Sequence, residues 1–243
     1  MSGNENQRWS RSTRGVTLAV ALAIILPRPL IGQLNGVPIW SPGLPVAPLE
    51  TAVMAHTSSG ADFLGDTGAE WGGTISLRAM FADRVTITGG VGALPRDVGV
   101  GERTWKPQYF ASAAFHLVHG TDAVGDYEYG LAVLGGWGVS TLQGDADEQN
   151  IPLGLDLVGH FNQGGWYVEA SVLPRWAWRR TDLGAGGKWQ NGPGLTDTLS
   201  AGTSFSIALI AAVDKTWLDA TAGAAGLPET NPVSWSIGLR WVW

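Results

Sequence analysis

VSWSIGLRWVW, residues 233–243, carries a large apolar side chain at every odd position, whereas its even positions are Ser234, Ser236, Gly238, Arg240 and Val242. Because side chains alternate across a β-strand, this segment has one apolar face and one face that is mostly small or polar. A soluble protein with such an exposed edge strand is prone to aggregation. The pattern therefore favours a strand whose apolar face meets lipid and whose edges are paired within a closed barrel.

The apolar face of this strand also carries a sequence signal. Its members are Trp235, Ile237, Leu239, Trp241 and Trp243. This ending resembles the C-terminal assembly signal of small Gram-negative outer-membrane β-barrels, which finish on an aromatic residue preceded by alternating apolar positions. The resemblance implies an integral protein of the bacterial outer membrane that is inserted by the barrel-assembly machinery. Outer-membrane lipids and lipopolysaccharide would then surround it.

The composition fits a membrane barrel better than a soluble domain. The 243 residues include 35 Gly, 13 Trp and only 15% charged residues, compared with about 25% in soluble domains. The mean hydropathy of +0.06 is too low for a bundle of membrane helices, but alternating lipid-facing and lumen-facing residues give such an average. The lack of cysteine excludes disulfides and thiolate metal sites. The net charge of −6 argues against nucleic acid as a partner.

The chain divides into three predicted segments. Arg8, Arg11 and Arg14 precede an apolar run of 11 residues, VTLAVALAIIL at 16–26, which predicts an export signal peptide over residues 1–32. An uncleaved anchor and a buried helix are the alternatives. Residues 33–48 contain four prolines and no periodicity, as expected of an extended periplasmic lead-in. Residues 49–243 are predicted to form the barrel domain.

Alternating runs along residues 49–243 predict an up-and-down antiparallel transmembrane β-barrel. The first run is Leu49–Thr57 and the clearest is Tyr127–Thr141. Short turns are predicted at 82–83, 119–126 and 163–164, and longer loops at 58–69, 94–104, 142–150, 180–195 and 219–231. Residues 197–217 are long enough for two strands, which gives ten. The apolar phase runs unbroken from Leu199 to Leu209, however, and this favours one strand and eight in total. Ten strands are predicted, with eight as the alternative.

The inward faces of these strands hold nearly all of the charge that lies within strands. The residues predicted to face the lumen are Glu50, His56, Arg78, Glu128, Asp156, His160, Glu169, Arg175 and Arg240, with His116 and Arg179 on the same faces. Opposite charges in a narrow lumen must pair, because an unpaired buried charge is costly. Three interpretations remain: a structural plug of salt bridges, a narrow polar path for small solutes, and a catalytic cluster.

Catalysis has little support in the sequence. Neither G-x-S-x-G nor H-E-x-x-H is present. Asp156 and His160 share a face but lie about 13 Å apart along a strand, which is too far for a direct dyad. His116 and His119 are three residues apart, so a regular strand points them to opposite faces. We therefore predict no catalytic residue, metal ligand or cofactor.

Aromatic residues cluster near the predicted strand ends. They are Trp105, Trp137, Trp166, Trp176, Trp178, Trp235, Trp241 and Trp243, and their outward phase predicts girdles at the membrane interfaces. A soluble core and a carbohydrate-binding platform are the alternatives.

Four functions are compatible with these observations. The first is a structural barrel or a narrow pore for small solutes. The second is a surface barrel for adhesion or recognition through its outer loops, and the third is an outer-membrane lipid-modifying enzyme. The fourth is a secreted soluble barrel that holds an apolar ligand, which requires apolar residues inside and polar residues outside.

Overall fold

The computed structural model describes residues 49–59, 70–81, 84–97, 103–122, 126–141, 147–182, 188–203, 207–216 and 233–243. All of them belong to one compact unit, Ile31–Trp243. The predicted signal peptide and lead-in, residues 1–48, lie outside the described residues. No helix among the described residues is long and apolar enough to cross a membrane.

Ten strands close into a single barrel. They are β1 (Leu49–Ser59), β2 (Glu70–Phe81), β3 (Val85–Asp97), β4 (Arg103–Thr121), β5 (Tyr127–Thr141), β6 (Asp147–Gln163), β7 (Trp166–Asp182), β8 (Lys188–Thr203), β9 (Ile207–Thr216) and β10 (Val233–Val242). Each strand pairs antiparallel with its sequence neighbours, and β1 pairs with β10 to close the sheet. The predicted up-and-down topology is confirmed, and so is the count of ten.

The separation of β8 from β9 settles the choice between ten strands and eight. β8 ends at Thr203 and β9 begins at Ile207, so the segment 197–217 contributes to two strands. The apolar phase is unbroken because Thr203 and Ile207 are both odd-numbered outward positions, so the short connection preserves the alternation. A continuous phase therefore does not distinguish one long strand from two short ones.

The two terminal strands close the barrel through a regular register. Their pairing runs from Glu50 opposite Val242 to Ser59 opposite Val233. Trp243 extends the seam, since its backbone N–H donates to the Leu49 carbonyl at 3.0 Å and its indole Nε1 donates to Thr51 Oγ1 at 3.0 Å. Trp243 is thus bonded into β1 at this end of the seam.

The barrel is apolar outside and largely polar inside. Its outward positions expose large hydrophobic side chains, among them Ile75, Leu77, Val91, Leu155, Leu209 and Leu239. Its inward positions bury charged and hydroxyl side chains, among them Glu50, Asp156, Glu169, Arg175 and Arg240. This distribution is the reverse of the one that a soluble barrel with an apolar ligand requires, so the fourth hypothesis has no support.

Three predicted loops were too long. The structure leaves only residues 98–102, 142–146 and 183–187 between β3 and β4, β5 and β6, and β7 and β8. At these strand ends polar residues occupy both faces, as in β7, where Arg179 and Arg180 follow one another. Where a strand carries polar residues on both its inward and its outward face, the alternating hydrophobic pattern is lost although the backbone pairing continues.

A β-bulge in β4 overturns the prediction that His116 and His119 point to opposite faces. The register with β5 shifts between His116 and Val118, and both Leu117 and Val118 are exposed. A bulge inserts one extra residue and so reverses the alternation beyond it. His119 consequently joins His116 in the inward phase, where its Nε2 lies 3.1 Å from Glu128 Oε2.

Candidate functional site in the barrel lumen

The lumen holds a cluster of ionisable and polar side chains near the end with the short turns. Six strands supply it, and its members are Glu50, Arg78, His160, Tyr167, Glu169, Ser200 and Arg240. We refer to this group as the turn-end cluster. Strand alternation brings these residues inward, and the antiparallel register sets His160 opposite Glu169 and Glu169 opposite Ser200.

Arg240 is the centre of the turn-end cluster. Its Nη1 donates to Glu169 Oε1 at 2.9 Å, while its Nη2 donates to Tyr167 Oη at 2.7 Å and to Ser200 Oγ at 3.2 Å. Its guanidinium carbon also lies 5.5 Å from the centre of the Tyr167 ring, within the range of a cation–π contact. One buried cation therefore ties β10 to β7 and β8 across the lumen.

Glu50 joins two arginines. Its Oε2 lies 2.5 Å from Arg78 Nη2 and 3.9 Å from Arg240 Nε. Glu50 and Arg78 are direct cross-strand partners on β1 and β2, so the shorter contact follows from register alone. The contact with Arg240 continues the charge network around the seam between the first and last strands.

His160 completes the network on the β6 side. Its Nδ1 is 3.5 Å from Glu169 Oε2, a separation too long for a strong hydrogen bond. Its ring stacks on Tyr167, with centroids 5.0 Å apart and planes 21° from parallel. The histidine therefore packs against the network more than it bonds to it.

A second polar group, the Arg175 cluster, lies further along β7. It consists of Arg175, Thr196 and Asp214. Arg175 Nη2 lies 2.8 Å from Asp214 Oδ1 and 2.7 Å from Oδ2, and its Nη1 donates to Thr196 Oγ1 at 2.5 Å. Thr196 Oγ1 in turn donates to Asp214 Oδ2 at 2.6 Å. The buried guanidinium and carboxylate thus satisfy each other in a closed ring of hydrogen bonds.

An apolar cluster fills another part of the lumen. Phe110, Ala114, Ala132, Leu134 and Leu173 form it, and all are at most 6% exposed. On β7, Leu173 lies between Glu169 of the turn-end cluster and Arg175 of the Arg175 cluster. The inward positions between the two groups on β7 are thus Ser171 and Leu173, and the buried Asp156 of β6 lies at the same level.

The remaining predicted lumen residues take different positions. Asp156 is fully buried, Glu128 and Arg179 are half-buried, and the side chain of His56 lies outside the described residues. His116 is buried, with its Nε2 2.7 Å from Thr86 Oγ1. The prediction of site residues omitted Tyr167, Ser200, Thr196 and Asp214. Each is in the inward phase of its strand, which was the signal available for finding them.

The polar groups of the turn-end cluster are engaged with one another. The Ser200 hydroxyl accepts a hydrogen bond from Arg240, and Glu169 is engaged by the same guanidinium. Throughout the described strands, no group of three His, Asp or Glu side chains is placed to hold a metal ion. The chemistry that these contacts support is the mutual stabilisation of buried charges.

Several solved structures resemble the barrel. Neisserial surface protein A is 12% identical, with a TM-score of 0.36 and coverage of 80% of this chain and 96% of that chain. The outer membrane protease OmpT from Escherichia coli is 7% identical, with a TM-score of 0.38 and coverage of 80% and 96%. Outer membrane phospholipase A from Escherichia coli is 11% identical, with a TM-score of 0.35 and coverage of 79% and 92%.

No protein-family model matches the chain, and no curated protein sequence matches it. The three similar structures comprise a surface protein, a protease and a phospholipase. Likenesses as weak as these carry no functional conclusion.

Proposed function

We propose that this chain is an integral β-barrel of the bacterial outer membrane with a structural role and a lumen closed by its own side chains. The observation that carries the proposal is the inverted distribution of residues, with a broad apolar surface outside and neutralised charges inside. Lipid is the solvent that suits such a surface, because exposed apolar area of this extent is rare on soluble monomers.

The spacing of outward aromatic residues supports membrane insertion. Four strands carry an exposed aromatic pair that is ten residues apart in the sequence: Trp71 and Phe81, Trp105 and Phe115, Tyr127 and Trp137, and Trp166 and Trp176. Ten residues of strand span about 33 Å. At a tilt of about 40° they span about 25 Å along the barrel axis, which is the height of the apolar band between aromatic girdles.

The apolar residues between these aromatic pairs complete the band. On β7, for example, Val168, Ala170, Val172 and Pro174 are the outward residues between Trp166 and Trp176. Trp178 and Trp241 are half-buried and Trp243 is exposed, whereas the side chain of Trp235 lies outside the described residues. The exposed aromatic pairs therefore support the girdles predicted from the sequence.

The packing of the lumen favours a structural role over a pore. Leu134, Leu173 and Asp156 have 0% of their surface exposed, although all three point into the barrel. Side chains that line a water-filled channel are accessible to water, so these three do not line one. The arginines of the turn-end cluster and the Arg175 cluster are already paired with carboxylates, as Arg175 is with Asp214.

The structural role predicts that the purified barrel is electrically silent in planar lipid bilayers. Shortening Leu173 to alanine removes apolar volume between the two charged clusters, so Leu173→Ala is expected to produce measurable ion leakage. Single-channel recording at fixed salt and voltage checks both expectations.

The matched control is Val172→Ala, which shortens the adjacent, outward side chain on the same strand and should leave the barrel silent. Steady conductance steps from the unmodified protein would overturn the closed-lumen role. They would instead favour a narrow pore for small solutes.

A further inference from the structure

One carboxylate lies on the lipid-facing side of the barrel. Asp197 of β8 lies between Thr196, which bonds to Arg175 inside the lumen, and Thr198, which contacts the inward Ser171. Strand alternation therefore directs Asp197 outward. Its cross-strand neighbours are Val172 on β7 and Val213 on β9. Its side chain is half-buried among them.

The depth of Asp197 is set by its register with β7. It pairs with Val172, which is six residues from Trp166 and four residues from Trp176, the two girdle tryptophans of that strand. Asp197 thus lies near the middle of the apolar band. Among the described side chains, no hydrogen bond or ion pair reaches its carboxylate.

A carboxyl group at this depth needs a partner. Hydrocarbon offers no hydrogen bonds, and an ionisable residue within the membrane therefore marks a functional contact by default. Lipid headgroups lie at the interfaces and cannot reach the middle of the band. The partner must itself place a polar group at mid-membrane depth.

We propose that Asp197 marks a self-association surface on which two copies of this barrel meet around a twofold axis parallel to the membrane normal. This inference rests on the membrane insertion proposed above. Such an axis keeps both copies at one depth and brings the same patch of each face to face. A carboxyl group that carries its proton is both a donor and an acceptor, so two Asp197 side chains satisfy each other.

The strands on either side of β8 carry short outward residues near Asp197. Ala170 on β7 and Ala211 on β9 both pair with Leu199, whereas Leu195 and Leu199 are the outward neighbours of Asp197 on β8 itself. The next strand, β6, instead exposes Leu153, Leu155 and Leu157. Small residues beside a polar group are the usual composition of protein contacts within lipid, because they permit backbones to approach.

Cysteine cross-linking in native outer membranes tests the proposal, since the chain has no cysteine of its own. Leu199→Cys places a thiol on the exposed position next to Asp197 along β8. Oxidation with copper phenanthroline is expected to give a band at twice the monomer mass on non-reducing gels. Val91→Cys is the matched control, because β3 lies opposite β8 in the barrel and Val91 pairs with Ile75, six residues from Phe81. It should give no dimer.

Two variants of Asp197 test whether its side chain stabilises the dimer or whether the two thiols merely lie close together. In the Leu199→Cys background, Asp197→Leu should lower the cross-linked fraction about tenfold, the effect of losing about 1.4 kcal/mol. Asp197→Asn should retain most of it, because an amide also donates and accepts. Absence of the dimer, a dimer that Asp197→Leu leaves unchanged, or loss of the dimer with Asp197→Asn would each overturn the proposal.

The same samples show separately whether the barrel self-associates and whether it is folded in the membrane. A folded barrel migrates differently before and after boiling, whether or not it is cross-linked. If every variant shows that shift and none forms the dimer, the self-association surface is wrong and the membrane barrel stands. If no variant is folded in the membrane fraction, both proposals fail.

Discussion

Arg240→Met is expected to lower the free energy of unfolding by about 3–5 kcal/mol, because it leaves buried carboxylates without their cation. Glu169 loses its 2.9 Å contact with the guanidinium, and Glu50 loses the 3.9 Å contact. Tyr167 and Ser200 lose a donor as well. Urea unfolding from phospholipid vesicles, followed by tryptophan fluorescence, measures the change.

The control for Arg240→Met is Arg84→Met. Arg84 is exposed at the turn between β2 and β3, and substitutions at such positions usually change stability by less than about 0.5 kcal/mol. Adding Glu169→Gln to Arg240→Met should recover part of the loss, since the neutral amide no longer needs a counter-charge. Equal stability of Arg240→Met and Arg84→Met would show that the turn-end cluster does not stabilise the barrel.

Gly238→Ala is expected to destabilise the barrel by about 3 kcal/mol, at the upper end of the usual cost of overpacking. A Cβ at this position would overlap the Val53 carbonyl oxygen and would lie 2.7 Å from Met54 Cα. Both belong to β1, so the added methyl group forces apart the seam that closes the barrel. The same urea titration measures the loss.

Gly73→Ala is the matched control for the seam variant. Gly73 also faces β1, but a Cβ there would meet only the Met54 carbonyl oxygen at 3.7 Å, which is ordinary contact. Its stability should stay within about 0.5 kcal/mol of the unmodified chain. Similar losses for the two variants would contradict a specific close approach between β10 and β1.

The strands could be predicted from the sequence because each one crosses an apolar band. Alternation from Trp166 to Trp176 is a local property, and it identifies β7 without knowledge of its neighbours. The alternation is lost where the strands extend beyond the apolar band toward the longer loops, and the predicted loops at 94–104, 142–150 and 180–195 were therefore too long. Bulges give no such signal, so the inward phase of His119 was missed.

The pairings inside the lumen could not be predicted to the same extent. Arg240 and Glu169 are 71 residues apart in the sequence, and β8 and β9 separate their strands, so their side chains meet only inside the lumen. The pairing of neighbouring strands does not give this contact directly, because side chains on β7 and β10 come together only once the barrel has closed. The sequence could therefore predict which charges face inward but not that Arg240 would be shared by Glu169, Tyr167 and Ser200.

The position of Asp197 in the membrane could not be predicted from the sequence either. The carboxylate interrupts the outward run that includes Leu195, Leu199 and Ala201, and that interruption was visible in the sequence. The sequence alone did not give the depth of Asp197, which follows from its pairing with β7 between Trp166 and Trp176. Depth within the apolar band, more than residue type, makes this aspartate informative.

Membrane insertion of the closed barrel is tested most directly by its mobility on cold SDS gels after isolation of the outer-membrane fraction. A barrel whose apolar face contacts lipid and whose ten strands are all paired resists SDS until it is boiled. We expect the protein in the outer-membrane fraction, with one mobility before boiling and another after it. Recovery from the soluble periplasmic fraction, with no change of mobility on boiling, would contradict this conclusion.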